Sequence, residues 1–146
     1  MKILFAADGS EYTERAAHFL VSHLAWFRVA PELHLLHVKL PIPQGMALTR
    51  AQAVLGDDAI EAYYAEQANE AVATARAILS AADIVFETGW RVGDIAQEIN
   101  RYATEHAIEM IVMGSHGHGA LRNLVLGSVA TKVLASDTGI PVLIVR

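Results

Sequence analysis

The chain contains no cysteine, which excludes disulfides, thiolate-bound metals and a cysteine nucleophile. Lysine and arginine number 11 against 16 acidic residues and form no block. With a net charge of -5, the chain lacks the basic stripe that broad nucleic-acid binding requires. It also lacks any uninterrupted apolar run long enough to cross a bilayer. The opening Met1-Lys-Ile-Leu-Phe-Ala-Ala resembles a signal peptide only superficially. Asp8 ends its apolar run after five residues, too few for a secretory core segment. The expectation is a cytoplasmic protein without a membrane or nucleic-acid partner. Also missing is Gly-x4-Gly-Lys-Ser/Thr, so no P-loop lysine reaches a nucleotide's terminal phosphates. No Gly-x-Ser-x-Gly elbow supplies a serine nucleophile.

What is present is enough apolar sequence for a core. At 146 residues, 53% hydrophobic and 18% charged, residues 1–146 read as one domain burying roughly 70% of its unfolded surface. Ile3 to Ala7 is a short continuous apolar run, the mark of a strand covered on both faces. Asp8-Gly9-Ser10 is a turn and helix N-cap, after which Ala16, Phe19, Leu20, His23, Leu24 and Phe27 recur at helical spacing through Glu11 to Phe27. Pro31 breaks that pattern, and Glu32 to Lys39 reads as a second strand. Pro41, Pro43 and Gln44-Gly45 mark a loop, and Met46 to Gly56 is either loop or a frayed first turn. Asp57 to Ala81, rich in Ala and Glu, reads as one long helix. Ile84 to Thr88 is the third strand with Gly89 to Gly93 as its exit loop, and Asp94 caps a helix from Ile95 to His106. Ile108 to Met113 is the fourth strand. A helix from about Ser128 to Ala135 and a last strand, Pro141 to Val145, complete the order.

Alternating strands and helices argue for a doubly wound parallel α/β sheet with helices on both faces. Ligands bind such sheets at the carboxyl ends of strands, where strand order reverses. The fourth strand empties into Gly114-Ser-His-Gly117, and Gly127-Ser128 opens the following helix. Glycines let main chain approach an anion, and a helix start offers unpaired N–H groups and a positive dipole end. If the first and fourth strands are neighbours, this loop faces Asp8-Gly9-Ser10 across one crevice. His116 and His118 have metal-binding spacing but no third ligand, so they read as loop histidines flanking a nucleotide. His18, His23, His34, His37 and His106 read as helix and strand filler. Gly114 and Gly117 are expected to lie outside the core.

The spacing Gly114-x2-Gly117-x9-Gly127-Ser128 resembles the nucleotide-binding signature of the ATP-binding universal stress proteins. The similarity extends over the whole chain, through Asp8-Gly9-Ser10, His37-Val38, Gly93-Asp94 and Gly139-x-Pro141-Val142. It implies a five-stranded sheet in the order 3-2-1-4-5, a homodimer paired through Pro141 to Val145, and non-covalently held ATP. Any Mg2+ or Mn2+ would be coordinated through the phosphates. Onto matching positions it carries Asp8 as an acceptor from the ribose hydroxyls and Val38 as a source of main-chain groups for the adenine edge. Gly114 and Gly117 would wrap ribose and phosphates, and Gly127 and Ser128 would bind phosphate oxygens. Ala7, Met113 and Val129 adjoin these positions, and Ser10, His116 and Arg122 are further candidates for the nucleotide. Ala6 and Ala7 stand where many relatives carry a proline. Ser128 would also cap its helix, and Lys132, one turn inside it, would point away from the phosphates. No catalytic residue is assigned. Three functions fit: an ATP-binding regulatory module with at most slow hydrolysis, a weak ATPase or adenylyl-transfer enzyme, or a dimeric stress protein that binds no nucleotide.

Overall fold

Apolar side chains at both odd and even positions of a strand require cover on both faces of a sheet, and the computed structural model has that arrangement. It describes residues 1–43, 45, 56–119 and 125–146, the side chain of Asp57 excepted. Strands β1 (Lys2–Ala6), β2 (Glu32–Lys39), β3 (Phe86–Val92), β4 (Met110–Gly114) and β5 (Val142–Val145) form one parallel sheet in the order β3-β2-β1-β4-β5. Helices α1 (Glu11–Ser22) and α2 (Asp57–Ala81) enclose a core of Ile3, Phe5, Leu33, Leu35 and Val112 with Ala16, Leu20, Val72 and Leu79. Helices α3 (Ile95–Glu105) and α4 (Ser128–Leu134) enclose a second core of Leu4, Leu36, Ile111 and Met113 with Ile99, Tyr102, Ala130 and Val133. Among the described residues, no helix is long and apolar enough to cross a membrane.

The β2 and α2 ranges agree with the sequence expectation, whereas β3 and β4 each begin two residues late. One physical cause accounts for both. After α2, Asp83 takes a left-handed conformation (φ 54°), and after α3 Ala107 does the same (φ 52°). Ile84 N–H then donates to Leu79 O at 3.1 Å, and Ile108 N–H to Ala103 O at 2.8 Å. These are Schellman closures, in which an apolar residue just past the helix folds back onto its last turn. Ile84 and Ile108 therefore end helices rather than begin strands.

The expected loop at 89–93 is also corrected: β3 continues to Val92, paired with β2 up to Lys39↔Val92. Gly89 is a bare spot inside the strand, and a Cβ there would stand 3.7 Å from the Tyr102 ring and from Leu36. The first helix stops at Ser22 instead of Phe27. His23 leaves helical geometry, with Nδ1 2.8 Å from Phe19 O and its ring stacked on Phe19, and Leu24–Trp26 continues as a 3-10 turn.

Main-chain parity decides which peptide groups stay open, because N–H and C=O of successive strand residues face opposite neighbours. On β2, Glu32 N–H donates to Met1 O and Leu36 O accepts from Ala7, whereas Lys39 O accepts from Gly93. Even-numbered residues thus face β1 and odd-numbered ones face β3. On β5, Pro141 O and Val145 O accept from Ile111 and Ser115 of the β4 side, so the main chains of Val142 and Ile144 face the open edge.

Candidate functional site

The strand order reverses between β1 and β4, and a cavity of about 530 Å³ opens at their carboxyl ends. Its volume falls in the usual range of small-molecule sites. One wall is apolar: Leu36, Val38, Leu40, Ile95, Ile99, Met113 and Val129 line it. Ala7, Asp8, Thr13, residues 114–119, Gly127, Ser128 and Ala130 line the rest. The cavity therefore joins an apolar pocket to a polar rim of backbone and one carboxylate.

Asp8 is held by the turn it belongs to. Its Oδ1 accepts from Ser10 N–H at 3.0 Å and from Thr13 Oγ1 at 2.7 Å, and Thr13 Oγ1 in turn accepts from Asp8 N–H at 3.1 Å. This arrangement turns Oδ2 toward Gly117, where a Cβ would overlap it at 2.5 Å. The missing Cβ of Gly117 thus makes room for the carboxylate. Gly9 has φ 81°, and a Cβ there would meet Ala71 O at 3.1 Å, so α2 seats directly on the Asp8-Gly9 turn.

Two imidazoles secure the main chain that leaves β1. His37 Nδ1 lies 2.8 Å from Ala7 O, and His118 Nε2 lies 2.8 Å from Asp8 O. A carbonyl only accepts, so both nitrogens carry a proton. Neither His37 nor Thr13 was marked as functional by sequence. His37 reads as strand filler until the Ala7 carbonyl is located.

By parity, Val38 turns its N–H and C=O toward β1, and β1 has already ended at Ala6, opposite Leu36. The Val38 peptide edge therefore faces the cavity, although its side chain is buried in the α3 core.

Other expected site residues fall in less uniform places. Ser10 is buried away from the cavity lining; it is the N-cap of α1, and its Oγ accepts from Thr13 N–H at 3.4 Å. His116 lines the cavity but is buried, with Ser115 Oγ 2.9 Å from its Nδ1 and the Tyr12 ring 5.1 Å away. Arg122 lies outside the described residues, as does 46–55.

Two expectations are corrected. Gly114 is not outside the core: a Cβ there would strike Tyr12 Cβ at 2.6 Å, so bare main chain is what lets α1 approach β4. Gly127, not Ser128, is the N-cap of α4. The Gly127 N–H is committed to Ser115 O at 2.8 Å, so among the first amides of this helix only those after Gly127 can meet a ligand. Ser128 is the first residue of the helix, exposed and among the residues that line the cavity.

Lys132 pairs with Asp94 Oδ2 at 3.3 Å. The Asp94 carboxyl is held below its ordinary range, first by the Gln97 amide it caps and further by that ammonium. Among the described residues, no group of three or more His, Asp or Glu is placed to hold a metal.

A doubly wound parallel sheet with a partly apolar cleft at its reversal point is an arrangement in which α/β proteins commonly hold small molecules. Comparison with known proteins narrows the class. The family model described as "Universal stress protein family" matches residues 1–146, and the chain belongs to that family. It is 33% identical to the universal stress protein YxiE of Bacillus subtilis, over 99% of this chain and 98% of that protein. It is 32% identical to Slr1230 of Synechocystis, where the match covers 99% of this chain but 42% of the relative's length. Among solved structures it resembles MJ0577 of Methanocaldococcus jannaschii, with a TM-score of 0.75 and 26% identity over 99% and 94% of the two chains. The same fold occurs in an Archaeoglobus fulgidus universal stress protein in complex with dAMP, with a TM-score of 0.65 and 23% identity over 100% and 98% of the chains.

Proposed function

We propose that this protein holds ATP or a related adenine nucleotide in the β1–β4 cleft and acts as a dimeric regulatory module of the cytoplasmic stress response. The carrying observation is the pairing of a pinned carboxylate with an open peptide edge. Asp8, fixed by Ser10 and Thr13, lines the cavity, as does Val38, whose main chain has no partner on β1 among the described residues. In this reading the base lies on the apolar wall of Val38, Ile99 and Met113, with its edge at the Val38 peptide. Asp8 accepts from the ribose hydroxyls. The main chain at Ala7, Gly114 and Gly117, which lines the cavity, borders the sugar. The phosphates run toward Ser128 and Val129, where helix-start amides and the serine hydroxyl meet them; His116 and Arg122 complete the set, with Arg122 as a phosphate partner, while Ser10 acts through its N–H bond to Asp8.

A Mg2+ or Mn2+ ion would be held mainly by phosphate oxygens and water. Lys132 is engaged by Asp94 and the chain has no P-loop lysine, so the site retains nucleotide and hydrolyses it slowly at most. The dAMP complex of the Archaeoglobus fulgidus protein is in keeping with an adenine nucleotide in this fold.

The dimer would form through the edge of β5, where the outward-facing Val142 and Ile144 main chain, without a strand partner among the described residues, is a ready strand-pairing surface. The deciding experiment is to denature freshly purified protein and quantify the nucleotide released. Adenine nucleotide approaching one per chain is the expected result. A nucleotide-free protein whose melting temperature is unmoved by ATP would overturn the reading.

A further inference from the structure

A regular parallel ladder would not stop where this one does. Ala7 N–H donates to Leu36 O at 2.9 Å, and the next step of the same ladder would run from Val38 N–H back to Ala7 O. That bond is not formed. Ala7 O is taken by the buried imidazole of His37 at 2.8 Å. A buried carbonyl must find a donor, and here a side chain supplies it in place of the neighbouring strand. His37 and Val38 are adjacent in sequence but face opposite strands by parity. The imidazole of His37 curls back to the acceptor that Val38 would otherwise use.

We propose that His37 is the positioning residue that ends the β1–β2 ladder one step early and so keeps the Val38 peptide edge open for the base. This rests on the nucleotide reading for its ligand, but the step it describes belongs to the free protein. In the same neighbourhood His118 holds the next carbonyl, that of Asp8, so the Asp8 stem is fixed without consuming the Val38 edge. An edge carrying one N–H and one C=O side by side is matched by adenine, which presents a ring-nitrogen acceptor beside an amino donor. Hypoxanthine presents the reverse pair. His37 therefore acts on base discrimination and not on phosphate affinity.

The test compares His37→Phe, which has a ring but no donor, with His37→Asn, whose amide nitrogen can take the place of Nδ1. In His37→Phe the orphaned Ala7 carbonyl recruits the Val38 N–H, and amide exchange at Val38, followed by NMR, slows about tenfold relative to wild type. ATP affinity falls about tenfold while ITP affinity changes little, a loss the size of one hydrogen bond. His37→Asn restores both the exchange rate and the ATP-over-ITP preference. A merely structural role would lower ATP and ITP affinity together and leave the Val38 amide unprotected, and either result would overturn the proposal. Should the wild type bind neither nucleotide, the nucleotide reading is overturned, and the exchange comparison by itself decides whether His37 ends the ladder.

Discussion

Gly114 and Tyr12 are in close contact: a Cβ on Gly114 would stand 2.6 Å from Tyr12 Cβ and 3.0 Å from its carbonyl carbon. This glycine serves the packing of α1 on β4 before it serves any ligand. Gly117 differs, since its nearest obstacle is the Asp8 carboxylate alone. Gly114→Ala is expected to lower stability by about 1–3 kcal/mol, the range for overpacking, and Gly114→Val by more. Gly117→Ala should cost less stability than Gly114→Ala, since a carboxylate and not the main chain of a helix must shift, yet it should displace Asp8 and weaken nucleoside binding. Urea unfolding beside adenosine titration separates the two; equal destabilisation by both substitutions would contradict the assignment.

Thr13 is the hidden support of Asp8. Thr13→Val keeps the shape but removes both hydrogen bonds, leaving the Asp8 N–H and Oδ1 short of a partner. A loss of about 1–3 kcal/mol is expected for groups orphaned in this way. Thr13→Ser should recover most of it. Adenosine affinity should follow the same order, because the carboxylate is no longer fixed.

Ala107 holds a left-handed conformation that an alanine tolerates poorly. Ala107→Gly should stabilise the fold by about 0.5–1 kcal/mol, the steric relief exceeding the extra entropy of the unfolded chain. Asp83→Gly should gain less, since aspartate visits this region more readily. Thermal unfolding of the two single variants is sufficient to check the order.

The same closures show what was and was not legible beforehand. Pro31 and Pro41 bracket β2, and the Ala/Glu-rich stretch ends cleanly at Ala81, so both elements could be read directly. Ile84 and Ile108 could not, because their helices close on Asp83 and Ala107 without the glycine that usually signals a stop. Gly89 gave a false exit signal, because it lies within β3 against the Tyr102 ring. At the cleft, Asp8, Gly117 and Gly127 stood out by residue type and spacing. The positions of His37 and Thr13 did not, because each is defined by an acceptor that only the folded chain brings near.

Stability should depend on pH at both extremes. Asp94 is held below its ordinary 3.8 by the Gln97 amide, then by Lys132. Its contribution is therefore present above 3.8 and is lost as pH falls through the lower folded value. The stability gap between wild type and Asp94→Ala should close on acidification. Burial raises the Tyr102 phenol above 10.0, so that contribution is present below 10.0 and is lost as pH rises through the folded value. Tyr102→Phe should flatten the alkaline limb. Chemical unfolding at stepped pH reads both effects.

For the β5 edge, Ile144→Pro removes an N–H that faces outward and leaves the bonds to β4 in place. It should yield monomers in sedimentation, while Ile144→Ala, which keeps the N–H, should remain dimeric. Identical sedimentation of the two would point to a different interface.

The parity of β2 has a consequence for how this chain can change length. Inserting or deleting one residue between Glu32 and Val38 would exchange the edges that the following peptides present. The imidazole would then lie on the wrong side of its acceptor, and the peptide facing the cleft would turn inward to β3. Only changes made in pairs preserve both relationships, so this strand is countable in twos. An odd change in its length should abolish base recognition even where every side chain lining the cleft is kept.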